Sequence, residues 1–190
     1  MEKAPTSNNP PPSKDPKDSK ALLRLIHFND VYDIQPTGKN GEGGAYYFKA
    51  LLDKKRTDNT LTLFSGDAFS PSILTSLFHG WQMVQCLQHF KIDAACFGNH
   101  EFDFEIEHTE SLARGCCFPW LLGNLIEGLT QEPRGGGGEN IILTKNGLKV
   151  GVFGVAEEDW LTLLKEDYQD QLDYIDFVTF SKYQCSVLRK

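Results

Sequence analysis

Apolar and polar positions alternate between two periods along this chain, and the switches mark its elements. Leu22-Leu23-Arg24-Leu25-Ile26-His27-Phe28 is a short, nearly continuous apolar run and reads as a mostly buried strand. A loop rich in glycine follows (Gly38, Gly41, Gly43, Gly44). Over residues 46–56, Tyr47, Phe48, Leu51 and Leu52 then recur at helical spacing. Residues 61–64 predict a second buried strand, ending at Ser65-Gly66-Asp67. Ser70-Pro71 has the form of a helix start, with a capping residue and a proline at the first helical position. After Gly80, Trp81, Val84 and Leu87 share one face of a helix over 81–90. Residues 94–97 predict a third strand, ending at Gly98-Asn99-His100. A helix over 106–114 closes at Gly115, and residues 120–122 are a fourth strand candidate.

The second half is patterned less regularly. Arg134–Gly138 reads as a flexible glycine loop. Two apolar runs, 140–145 and 148–155, flank Asn146-Gly147, a strong hairpin signal because both turn positions favour positive φ. A short helix is predicted near 160–165. A second amphipathic helix runs from Asp176 to the end, with Phe177, Phe180, Gln184 and Val187 on related turns.

Composition separates the first twenty residues from the rest. Residues 1–20 hold five of the nine prolines and no aromatic or branched aliphatic residue, so they read as a disordered tail, with Pro10-Pro11-Pro12 a polyproline ligand at most. Residues 21–190 read as one folded unit. The formal net charge of −7, with no basic run, argues against a nucleic-acid partner. No apolar stretch approaches membrane-spanning length, and no apolar leader is present, so no membrane partner is expected. Five cysteines without any C-x-x-C pair predict free thiols, and the expected location is the cytoplasm.

The alternation strand–helix–strand–helix–strand predicts an α/β fold with a largely parallel sheet, whose ligands bind beyond the carboxyl ends of the strands. Each of the first three strands stops at a residue able to bind metal: Asp30, Asp67 and Asn99, the last followed by His100. Separations of 37 residues (30 to 67) and 32 residues (67 to 99) each fit one crossover helix. Two carboxylates, an amide and an imidazole are therefore expected on one sheet edge. Oxygen donors suit Mg²⁺ and Mn²⁺, and imidazole suits Zn²⁺ or Fe. Taken singly, each is an ordinary cap or turn residue; caps have no reason to gather on one edge. His27, His79, His89 and His108 lack such a pattern and read as packing or surface residues. Gly41-Glu42-Gly43-Gly44 hints at a dinucleotide loop, but Tyr46 stands where the third glycine belongs.

Gly66-Asp67 and Gly98-Asn99-His100-Glu101 resemble the motifs of calcineurin-like metallophosphoesterases. The longer string G-N-H-E-F-D at 98–103 looks like the 5′-nucleotidase branch. So do Leu25–Asp30, the Gly43-Gly44 pair before a helix, and residues 151–157. The resemblance covers roughly residues 22–190 and implies an αββα sandwich, of which this chain holds the N-terminal half. It implies two divalent metal ions (Mn, Zn, Fe or Mg). Asp30 would bind the first, Asp67 would bridge both, and Asn99 would bind the second. His100 would sit over the phosphate and assist the leaving oxygen, oriented by Asp103. The implied reaction is hydrolysis of a small phosphate monoester, a nucleotide, by a metal-activated water.

Two departures stand out. Where the family usually has Asp-x-His, this chain has Asp30-Val31-Tyr32, as some branches do, leaving that position to water. No Gly-His-x-His follows, and His108 is the single histidine past Asp103. The reading is therefore a partial catalytic domain. Its alternative is a truncated, catalytically impaired form acting as a binding or regulatory module. A terminal helix and an apolar run (150–155) without a covering layer predict an exposed apolar face and self-association through it.

Overall fold

The computed structural model describes residues 22–36 and 38–190; the expected disordered tail, residues 1–20, lies outside the described residues. The elements in chain order are β1 (Arg24–Phe28), α1 (Gly44–Lys55), β2 (Thr60–Phe64), α2 (Thr75–Phe78), α3 (Trp81–Gln88), β3 (Ala94–Cys96), α4 (Ile106–Gly115), β4 (Trp120–Leu121) and β5 (Leu125–Glu127). They continue with β6 (Asn140–Lys145), β7 (Leu148–Phe153), α5 (Trp160–Leu163), α6 (Glu166–Gln169), β8 (Leu172–Tyr174) and α7 (Phe177–Leu188). Short 3-10 turns occupy Asn99–Phe102 and Arg134–Gly136.

The expected parallel sheet is present, in the order β1-β2-β3-β4 with every pairing parallel. Phe28 registers with Phe64, and Leu63 and Phe64 register with Ala94 and Ala95, so the first three strands finish at one edge. β2 is central, and Thr60, Leu61, Thr62 and Phe64 are buried. β1 is the outer strand: Ile26 and Phe28 turn toward the core while Leu25 stays 59% exposed, so the mostly buried first strand expected from its composition is half right.

Aromatic rings fill the core beside that edge. Trp120 stacks on Phe97 (4.7 Å between centroids) and meets Phe64, Phe69 and Phe118, while Phe28 contacts Phe48, Phe64 and Phe90. Met83, Val84 and Leu87 of α3 and Ile106 and Leu112 of α4 complete it, each at helical spacing.

Three expectations need correction. Ser70-Pro71, a cis peptide bond, starts no helix; the helix begins at Thr75, whose Oγ1 donates to the Phe69 carbonyl (3.0 Å) and whose N–H donates to Ser72 Oγ (3.2 Å). Residues 134–138 are not a free loop. Gly135 is buried at φ 79°, a Cβ on Gly137 would lie 2.9 Å from the Phe97 ring, and Gly138 exchanges backbone bonds with Trp120 and Leu122. β5 and β8, an antiparallel pair of three-residue strands, were not foreseen.

The hairpin turns where expected, with Asn146 at φ 50° and Gly147 at φ 75°. α7 is capped by Asp176, whose Oδ1 accepts from the Thr179 N–H and hydroxyl (both 2.8 Å). Phe180 and Gln184 of α7 are buried. Phe177, Val178, Tyr183 and Val187 stay more than a third exposed, as does Ile142 on β6.

Candidate active site at the strand ends

The three strand ends are laced together through backbone before any side chain is considered. The Asp30 N–H donates to the Gly66 carbonyl (3.1 Å) and the Val31 N–H to the Asp67 carbonyl (3.0 Å), joining the loops after β1 and β2. Asp30 (φ 56°) and Asp67 (φ 63°) both hold left-handed backbone, sparsely populated by non-glycine residues, as strained positions at functional sites often are. The loops after β2 and β3 touch: a Cβ on Gly66 would lie 2.0 Å from the Gly98 nitrogen, and one on Gly98 2.1 Å from Asp67 Oδ1. Only glycine allows that approach.

Side chains converge on this seam. The Tyr32 hydroxyl donates to Asp30 Oδ1 (2.6 Å), with the Asp67 carboxylate close enough to act on it electrostatically. The His100 N–H donates to Asp67 Oδ1 (3.0 Å), and the Tyr32 and His100 rings meet edge-on at 5.8 Å. His100 Nδ1 lies 3.0 Å from Asp103 Oδ2. Asp30 is exposed and also bonds the Asn29 amide; Asp67 is half-buried. Asn99 opens the turn between Gly98 and His100 and is half-buried. The structure therefore links Asp30, Asp67, His100 and Asp103 through one chain of contacts and carries Asn99 beside them on the backbone. A cavity of about 570 Å³ opens next to Asp30, walled by Tyr32, Tyr47, Phe48, Met83 and Phe90.

The site carries surplus negative charge. Burial, joined by the neighbouring Asp30 carboxylate, pushes Asp67 above the ordinary carboxylate range, although the His100 N–H and charge work against it. Burial and then Asp30 push the Tyr32 phenol above its usual value, which makes Tyr32 a hydrogen-bond donor here. Burial alone would depress His100, but the Asp103 hydrogen bond and charge, with Asp67 and Glu101, leave it raised. Among the described residues, no three His, Cys, Asp or Glu side chains form a ready metal cluster. The oxygen donors nevertheless suit a hard divalent cation: two carboxylates at adjoining strand ends, with an amide alongside.

Two contributors had no role assigned from the sequence. Glu101, fully buried, accepts four backbone N–H bonds from the loops around Asp67 and Gly98. Tyr32 donates to Asp30 Oδ1 and sets its ring edge-on against His100. The signal for Glu101 was its place in G-N-H-E-F-D, but accepting backbone amides leaves no spacing pattern. His108, as expected, packs, with Nε2 2.7 Å from the His79 carbonyl.

The profile of the calcineurin-like phosphoesterase family matches residues 23–184. The chain belongs to that family. Among curated relatives, the 5′-nucleotidase of Vibrio cholerae is 26% identical over 183 residues, covering 91% of this chain and 32% of the relative. Protein 5NUC of Lutzomyia longipalpis is 31% identical over 164 residues, covering 75% and 28%. The chain thus spans about a third of the length of the curated relatives it matches. Two solved structures share the fold. Haemophilus influenzae NAD nucleotidase has a TM-score of 0.73 at 23% identity, covering 88% of this chain and 32% of the other. A 5′-nucleotidase precursor from Thermus thermophilus has a TM-score of 0.75 at 22% identity, covering 87% and 34%. Among the described residues, no helix is long and apolar enough to cross a membrane.

Proposed function

We propose that this chain carries the metal-holding and proton-transfer edge of a phosphomonoesterase acting on a small phosphate ester, a nucleoside 5′-monophosphate in particular. The observation that carries the reading is the lacing of the Asp30, Asp67 and His100 loops into one seam at the strand ends, with the His100–Asp103 pair alongside. Asp30, Asp67 and Asn99 would hold divalent ions, Asp67 lying between the other two. Two such ions would supply Lewis acidity, neutralising phosphoryl charge and making water nucleophilic at neutral pH. His100, oriented through Nδ1 by Asp103, would turn Nε2 toward the phosphoryl group and hold a proton for the departing alkoxide. Tyr32 would keep the carboxylates in register rather than ligate. Five unpaired thiols support a reducing, cytoplasmic location.

A second reading is a metal-binding module without turnover. It is favoured by the engagement of His108 with the His79 carbonyl, which commits that imidazole to packing. Phosphate release from adenosine 5′-monophosphate in Mn²⁺ separates the two. The enzyme reading predicts release that EDTA and Asp67→Asn both abolish. Bound Mn²⁺ without release supports the module, and release unaffected by Asp67→Asn contradicts the assignment of the site.

A further inference from the structure

We propose that Glu101 is a positioning residue whose buried carboxylate staples the loop after β2 to the loop after β3, setting Asp67 against Asn99 and His100. The inference rests on the metal-site reading for its consequence but stands on its own geometry. Glu101 Oε2 accepts from the N–H groups of Asp67 (2.7 Å) and Gly98 (2.6 Å), one from each loop. Oε1 accepts from Ala68 (2.7 Å) and Phe69 (3.2 Å). The bond from the His100 N–H to Asp67 Oδ1 runs the other way across the same seam. Glu101 is itself held in place, because Thr109 Oγ1, buried on α4, donates to its carbonyl (2.5 Å).

Four convergent amides explain why a carboxylate stands there. Only a carboxylate offers two acceptor oxygens with room for four N–H donors. Glutamine has the same shape but replaces one oxygen with an amide donor. Either way it is turned, two backbone N–H groups then face an N–H instead of an acceptor. Gly66 and Gly98 bring the loops close enough for one oxygen to reach both, and the staple fixes the separation that the glycines permit.

The test combines Mn²⁺ titration with residue-resolved amide exchange on the full chain. Glu101→Gln is expected to weaken Mn²⁺ binding about tenfold or more and to speed exchange at one pair of amides, Asp67 with Gly98 or Ala68 with Phe69, by a similar factor. Leu125→Ala, a core truncation away from the seam, serves as a control for destabilisation and should leave both readings at wild-type values. If Glu101→Gln keeps wild-type affinity and exchange, or if Leu125→Ala weakens Mn²⁺ equally, the proposal fails. Should wild type bind Mn²⁺ no better than Asp67→Asn, the metal reading fails while the exchange rates still decide the staple: pairwise acceleration supports it and unchanged rates overturn it. If Glu101→Gln does not fold, Thr109→Val, which removes only the bond to the Glu101 carbonyl, takes its place under the same criteria, with a smaller loss expected.

Discussion

His100 and Asp103 sit one 3-10 turn apart, and their 3.0 Å contact makes them a unit rather than two independent contributors. His100→Ala and Asp103→Ala are each expected to lower kcat/KM for a phosphate ester, and the double variant should lose far less than the two losses multiplied. Strict multiplicativity would break the pairing. Gly98 sets a second expectation at this scale. A Cβ there would lie 2.1 Å from Asp67 Oδ1, so Gly98→Ala must push Asp67 aside or part the loops. A loss of about 2–3 kcal/mol in urea denaturation is expected, together with weaker Mn²⁺ binding; an unperturbed variant would mean the seam is looser than the geometry indicates. That Asp30, Asp67, Asn99 and His100 would share one sheet edge is legible because each lies just past a strand end, whereas Asp103 enters through the resemblance of G-N-H-E-F-D. Glu101 and Tyr32 were not legible, because their work is hydrogen bonding to backbone and to carboxylates that only the folded loops bring near.

Elements with strong periodicity or strong turn chemistry were legible. α3 and α4 put buried residues at helical spacing, and Asn146-Gly147 left few choices to its hairpin. Ser70-Pro71 mimicked a helix start, yet the amides just before it are taken by Glu101, which holds the segment in a bend. β5 and β8 are three residues each and lie 45 positions apart in register (Glu127 to Leu172), so nothing local announces them. The glycines of 134–138 looked free because their partners, the Phe97 and Phe102 rings, come from another part of the chain. α7 carries a pH prediction. The Thr179 hydroxyl and N–H hold the exposed Asp176 carboxyl below its ordinary value. A carboxylate lowered on folding stabilises above its unfolded pKa of about 3.9, and the contribution is lost as pH falls through the folded value. Exchange at the Thr179 amide should therefore accelerate relative to the core below about pH 4. Asp176→Asn, which caps without titrating, should lack that step; an identical acid response in both proteins would exclude the cap as its source.

For the molecule as a whole, one region is well covered and another is open. The aromatic layer around Trp120 is closed by α3, α4 and the 134–138 turn. The hairpin and α7 leave Ile142, Phe177, Val178 and Tyr183 partly in solvent. Such a face favours association. The chain is expected to bind a hydrophobic dye and to show concentration-dependent self-association in sedimentation. Val178→Lys with Tyr183→Lys should reduce both. A monodisperse monomer that ignores the dye would show that this face is tolerated as it stands.

In the proposed site the strand ends hold divalent metal through Asp67, with His100 serving the phosphate rather than the ion. Isothermal titration with Mn²⁺ tests this most directly, comparing wild type with Asp67→Asn and His100→Asn. Saturable binding by wild type is expected, with a large loss for Asp67→Asn and a small one for His100→Asn. Absent binding, or equal losses from the two substitutions, would contradict that assignment.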